Sequence, residues 1–212
     1  GRLPRYAPHR FVVKVIGTTA SDADDFYLQF LVGDRTSETS LGQGFGYDGI
    51  WRECTAPDQP FQWDISTMPH VLKRNEGSGQ WDFGQAAWKD REAGDDDSNP
   101  PPSFLARTLN DASTFQGRLS FAAGNSIIMS RTDKHLDFWK QSATVTASDD
   151  PVDVMSTAKS YAVMRRIQPH NRDLAVFSDK AQFIVFGRNA ITPGNAALVL
   201  TTSFECDLTA AP

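Results

Sequence analysis

The apolar residues of this chain fall in short runs separated by polar turns. Between residues 103 and 131, Leu119, Phe121 and Ala123 alternate with Ser120 and Ala122, the period of a half-buried strand. Gly124-Asn125 follows as a turn signal, because both residue types tolerate positive φ. Ile127, Ile128 and Met129 then give a short return strand that ends at Ser130-Arg131, so the stretch reads as two strands and a tight turn. A second hairpin of similar form lies about 55 positions on: Leu174 to Phe177, the turn Ser178-Asp179-Lys180, then Ala181 to Gly187. Leu119 matches Leu174. Two such units suggest a repeated sheet, and propeller blades recur every 40 to 50 residues or so. Two unrelated hairpins would give a similar pattern.

The first third predicts a three-strand meander. Its strands are residues 11–16, the nearly all-apolar Phe26–Val32, expected to be central and covered on both faces, and residues 50–55. A Gly-, Ser- and Thr-rich loop at 33–49, containing Gly42-Gln43-Gly44-Phe45-Gly46, separates the last two and is long for a compact domain. Asp64 is placed to cap a helical turn that Pro69 ends, and Val71 to Arg74 reads as a short strand. Trp81, Phe83 and Trp88 add aromatic bulk. Residues 93–103, AGDDDSNPPPS, set three acids before three prolines, and no strand or helix is expected to cross them. They predict a junction between a small β domain at 1–94 and a β region at 103–212, with 95–102 as an acidic, proline-rich linker. Later, residues 134–139 suggest a helical turn, 143–146 and 152–154 short strands, 161–167 a strand stopped by Pro169, and 197–206 a closing strand. No long 3.6-residue period occurs, so the predicted class is all-β, antiparallel, with little helix.

Composition narrows this only modestly. Of 212 residues, 40% are apolar and 22% charged, enough for a core. The net charge of −5 argues against tight binding to a nucleic-acid backbone, though not against nucleic acid passing without sticking. No apolar run reaches the roughly 20 residues of a membrane helix, and no secretory signal follows GRLPRYAPHR. The chain begins at Gly1 and not Met, as a tag remnant followed by a fragment would. Cys54 and Cys206 show no metal or framework spacing; a reduced pair is favoured and a single bridge stays open.

Candidate chemistry is sparse. His9, His70, His135 and His170 are scattered, with no local zinc pattern. No Gly-x-Ser-x-Gly elbow or phosphate loop is present, and Gly42 to Gly46 lacks the helix a dinucleotide site requires. Asp95, Asp97 and Asn99 alternate like the opening of a calcium loop, but Pro100 stands where Gly is needed. Asp149, Asp150 and Asp153 are candidates for cleaving a glycosidic bond only because they cluster, and a turn is their simpler reading. Trp51, Trp63, Trp81 and Trp88 could stack on sugars, but core packing suits most of them better.

An ordered series of segments spans nearly the whole chain and resembles the tail tubular protein B family, the tail nozzle of short-tailed phages. It includes Tyr6-Ala7-Pro8 before Phe11 to Val15, Asp25 to Phe30, Trp51-Arg52-Glu53 with Ala56-Pro57, and Thr67 to His70 with Leu72 and Arg74. It continues through Ala93 to Pro100, Arg107 to Asp111, Arg118 to Phe121, Ile128 to Thr132 and Asp149 to Val154, and ends with Leu174 to Phe183 and Thr201 to Glu205. Residues 40–49 look like an insertion. The resemblance implies an internal fragment of a homohexameric nozzle under the tail adaptor ring. It also implies a propeller-like domain, contacts to tail fibres and a central channel for DNA, in a virion tail assembled in the host cytoplasm. No catalytic, cofactor-binding or metal-binding residue is carried over. Residues 103–212 would supply about two blades, so the fragment should expose sheet edges and be partly open or prone to associate. The alternative is a glycan-binding or glycan-hydrolysing β protein of a phage tail.

Overall fold

The computed structural model describes residues 3–17, 24–32, 49–105, 107–158 and 161–205. Among them are thirteen strands and no α-helix, and every named strand pair is antiparallel. The chain forms two compact units. One comprises residues 1–61, 91–100 and 141–145, the other residues 62–90, 101–140 and 146–212. The last exit from the 91–100 piece falls at Pro100-Pro101, inside the acidic, proline-rich segment. The Gly-rich loop at 33–48 and Cys206 lie outside the described residues.

The first unit is built on the expected meander, β1 (Val12–Val15), β2 (Phe26–Val32) and β3 (Gly49–Cys54), with β2 central. Its small core joins Ala7, Phe30 and Val32, with Trp51 packed against them. The expectation that β2 is covered on both faces does not hold: only Phe30 and Val32 are buried, and the rest of the strand is half-buried. An apolar run marks a strand but does not supply a second layer to cover it.

Polar clasps hold the other pieces of this unit. Arg91 is buried and donates to Asp96 Oδ1 at 2.7 Å, Asn99 O at 3.2 Å and Pro60 O at 2.5 Å. Glu53 accepts from the Ser142 hydroxyl at 2.8 Å and the Ala143 amide at 2.9 Å. Ser98 and Asn99 are buried, so part of the acidic segment is packed rather than solvated.

The second unit holds two four-stranded meanders. The first is β6 (Leu109–Phe115), β7 (Arg118–Ala123), β8 (Ser126–Met129) and β9 (Val152–Met155). The second is β10 (Met164–His170), β11 (Asp173–Ser178), β12 (Gln182–Val185) and β13 (Val199–Thr202). Residues 103–131 therefore carry three strands rather than two. The missed strand, β6, is joined to β7 by Gln116-Gly117, both with positive φ (48° and 71°), as a type I′ turn requires. At the next turn Gly124 alone has positive φ, at 55°.

The first meander is covered on both faces. Ala122, Ile127, Met129 and Val152 face a core shared with Met164, Ile167, Leu174, Val176, Phe183 and Val185 of the second meander. Phe121, Ala123 and Ile128 face an aromatic core with Trp63, Trp88, Phe104, Phe138 and Trp139. Residues 134–139 form a turn rather than a helix, yet they deliver Phe138 and Trp139 to this core as expected.

Three strand assignments change. Residues 143–146 are irregular. The closing strand is confined to Val199–Thr202. Pro169 lies inside β10, opposite Leu174, and does not stop it. β10 is an edge strand of its sheet, where a missing N–H costs no ladder bond.

Candidate interaction surface

The outstanding surface feature is a two-stranded sheet of β4 (His70–Arg74) and β5 (Trp81–Gln85). Its register pairs His70 with Gln85, Leu72 with Phe83 and Arg74 with Trp81. Directly opposed residues share a face, so one side of the ribbon presents Leu72, Phe83 and Trp81 flanked by His70 and Arg74. The three apolar side chains are 61%, 74% and 62% exposed. The His70 and Phe83 rings stack at 5.3 Å, which orders the face without covering it.

The turn that creates this ribbon is set by Asn75. Its Oδ1 accepts from the amides of Gly77 at 3.0 Å and Ser78 at 3.2 Å, and its carbonyl accepts from Gly79 at 2.8 Å. Gly79 supplies the positive φ, at 70°. The expected turn at 75–79 is therefore present. β5, however, was legible only as aromatic bulk, and Trp81 is exposed where Trp63 and Trp88 are buried. A two-stranded ribbon is marginal in water by itself. Burying Leu72, Phe83 and Trp81 would contribute about 1.5–3 kcal/mol each, a strong drive toward a covering partner. Among the described residues β13 is the other edge strand of its sheet, with Val199 and Leu200 exposed and Phe204 nearby at 75% exposure.

The clustered acids sit elsewhere and perform structural work. Asp149 and Asp137 both pair with Arg131, the latter at 3.2 Å. Asp150 lies 3.8 Å from Arg131 Nε, is fully buried, and accepts from the Ala147 amide at 2.8 Å. Asp153 accepts from the amide and hydroxyl of Ser103 at 2.7 and 2.8 Å. Burial acts to raise the Asp149 carboxyl, but the hydrogen bond and charge of Arg131 outweigh it and hold the group below its usual value. Arg118, missed by sequence reasoning, is buried and donates to the carbonyls of Ser130, Asp150, Ser148 and Ile191 at 2.7–3.1 Å. Burial lowers its affinity for its proton. Its only sequence signal was a charge at the start of a strand otherwise headed for the core.

The calcium-like run is an internally bonded turn. Asp95 Oδ1 accepts from the Asp97 amide and from both the amide and hydroxyl of Ser98. Burial pushes the Asp95 carboxyl up, and these bonds more than reverse the shift, leaving it below its usual value. Among the described residues no three His, Cys, Asp or Glu side chains converge as metal ligands would. Cys54 has a free thiol, pushed up to about 11 by burial and by the charge of Glu53. No helix among the described residues is long and apolar enough to cross a membrane.

An antiparallel β chain with apolar surface held out on an exposed ribbon, and its clustered acids at 149–153 spent on structure, has the character of an assembly component. The chain belongs to the bacteriophage nozzle protein family, whose family model matches residues 1–212. It is 32% identical over 211 residues to tail tubular protein gp12 of Escherichia phage T7. That match takes in the whole chain and 25% of the relative, so the chain spans about a quarter of the length of the curated protein it matches. Family membership supports a structural role in a phage tail and a place in the virion tail.

Proposed function

We propose that the chain is a non-enzymatic building section of a phage tail nozzle, forming part of the conduit for DNA ejection and of the platform that carries tail fibres. In this reading it assembles as a homohexamer in the host cytoplasm, against a tail adaptor ring. The two sequential four-stranded meanders act as two propeller-like blades, a reading supported by their common topology and shared core. A two-part organisation belongs to the same proposal; the compact units support two parts, with the chain passing between them at Pro100-Pro101 and at four other points and with residues 62–90 in the second part. A net charge of −5 suits a conduit that must not grip DNA.

The observation that carries the assembly role is the exposed Leu72–Phe83–Trp81 face, which a monomer in water has no use for. The test is mass photometry of the intact protein that contains this chain, comparing wild type with the Leu72→Ser/Phe83→Ser double variant. Rings in the wild type and smaller species in the variant are expected. Unchanged rings in the variant would remove the ribbon from the interface. Turnover of capsular polysaccharide by the wild type would overturn the non-enzymatic reading.

A further inference from the structure

The second unit carries a cavity of about 530 Å³ that the ribbon does not touch. Its wall comes from three places: the approach to β6, the turn between β7 and β8, and the start of β10. Arg107 and Arg165 line it, and among the described residues no carboxylate does. Among the described residues Arg107 donates to neutral oxygens, Asn125 Oδ1 at 3.3 Å and Ser126 Oγ at 3.4 Å. Arg165 is exposed and has no hydrogen-bond or ion-pair partner among the described residues. Arg91, Arg118 and Arg131, by contrast, are committed to carbonyls and carboxylates within the fold.

The floor is shaped by a missing side chain. A Cβ on Gly124 would lie 3.1 Å from Arg107 Nη1 and 3.3 Å from Tyr161 Oη. The guanidinium and the phenol therefore both close on the tip of the β7–β8 hairpin, where glycine leaves them room. Tyr161 is 63% exposed and offers a ring to the cavity wall. Asn110 is fixed by its 2.7 Å bond to Met164 O, and Asn125 adds a second amide.

Charge and size select the ligand. Two guanidinium forks carry two positive charges. One carboxylate would neutralise one of them, whereas a phosphate monoester carries about −1.5 to −2 near pH 7 and matches both. A long polyanion would meet the repulsion of a chain with net charge −5. A compact dianion feels mainly the charges within a Debye length of about 10 Å. The cavity exceeds what phosphate alone would fill, and an exposed tyrosine ring beside amide groups suits a sugar. We propose that this cavity binds a sugar phosphate, with the phosphate on Arg107 and Arg165 and the sugar against Tyr161. The proposal is independent of the assembly role.

Calorimetric titration of the intact protein with glucose 6-phosphate tests it, with inorganic phosphate, glucose, glucuronate and a short single-stranded DNA as comparison probes. Saturable binding of glucose 6-phosphate is expected, weaker binding of inorganic phosphate, and none of glucose. Arg107→Gln and Arg165→Gln should each weaken it at least tenfold, with Arg107→Lys between those variants and wild type. Wild-type affinity should also fall as pH drops through about 6, where the monoester loses its second charge. That readout needs no variant. Equal binding of glucuronate, preferential binding of the DNA, affinity flat across pH 6, or no saturation at millimolar ligand would each overturn the proposal.

Discussion

Two hairpins in the second unit meet opposite fates. β7–β8 has every residue buried except the half-buried Leu119 and its turn, while β4–β5 is exposed at every position except the half-buried Gly84. Both contain aliphatic and aromatic side chains, so apolar content alone does not decide burial. The difference lies in what separates the apolar residues. In β7–β8 the intervening positions are Ser120, Ala122 and Ser126, small enough for a second layer to close over. In β4–β5 they are Lys73 and Asp82, whose charges cannot be buried without partners. One ribbon therefore has two packable faces, and the other has one apolar face for a partner and one charged face for water.

The exception in the buried hairpin is Arg118, and it yields the largest expected effect. Its guanidinium satisfies carbonyls of Ser130, Ser148, Asp150 and Ile191 at once. Arg118→Ala should cost about 3–5 kcal/mol, since each unsatisfied buried acceptor costs roughly 1–3 kcal/mol and partial relaxation admits water. Ile128→Ala leaves a cavity in the aromatic core and should cost about 2–5 kcal/mol. Urea denaturation measures both. Losses below 1 kcal/mol would mean that this hairpin is not the pinned centre of the unit.

Gly117 comes next. Its φ is 71°, and an added Cβ would lie 2.7 Å from Asp133 Oδ1. Gly117→Ala should destabilise by about 1–2 kcal/mol through left-handed strain and the displaced carboxylate. The equivalent change at Gly79, φ 70° with nothing within 4 Å of the new Cβ, should cost only the backbone strain and so be smaller. Similar losses at both would erase the contrast between the packed turn and the open one.

This contrast also shows what the sequence could disclose. The all-β class, the first meander, the β7–β8 and β11–β12 hairpins and the turn at Asn75 were legible because period-two runs and turn residues act locally. β6 was not, because LNDASTF lacks apolar alternation; it is held by its neighbours, including Asp111 Oδ2 accepting from the Ile167 amide at 2.9 Å. Pro169 misled for the complementary reason: its cost depends on edge position, which is tertiary information. The exposure of Trp81 was hidden for the same cause, since an aromatic in a strand looks the same whether or not a layer covers it. Arg118 shows the limit most clearly: five donors on one charged side chain become structural only when distant carbonyls converge on them.

Acid should act on the clasps rather than on either hairpin. Asp95 and Asp149 are held below the ordinary carboxylate value in the fold. Their contribution is therefore complete above the unfolded-chain value of about 3.9, and it is lost as pH falls through the lower folded values. Asp149 is 41% exposed, so solvent screens its pairing with Arg131 and the loss there is about 1 kcal/mol or less. Asp149→Asn and Asp95→Asn should each flatten the decline in stability measured between about pH 4 and pH 2. An acid-side slope unchanged in both variants would move the cause to other carboxylates.

The smallest expected effect on stability belongs to the exposed ribbon. In the isolated chain, Leu72→Ser with Phe83→Ser removes side chains that are already 61% and 74% in water. The loss of burial is slight, and exposed substitutions of this kind stay within about 0.5 kcal/mol. The cross-strand pair and the ring contact of Phe83 with His70 disappear, so amide exchange at residues 70–85 should quicken locally while the denaturation midpoint hardly moves. The same double change should make the isolated chain less prone to associate, because the apolar face is gone. A drop of several kcal/mol in the monomer would instead mean that the ribbon is part of the fold's own core. The two hairpins would then differ in degree, and not in whether their apolar residues serve this chain or a neighbour.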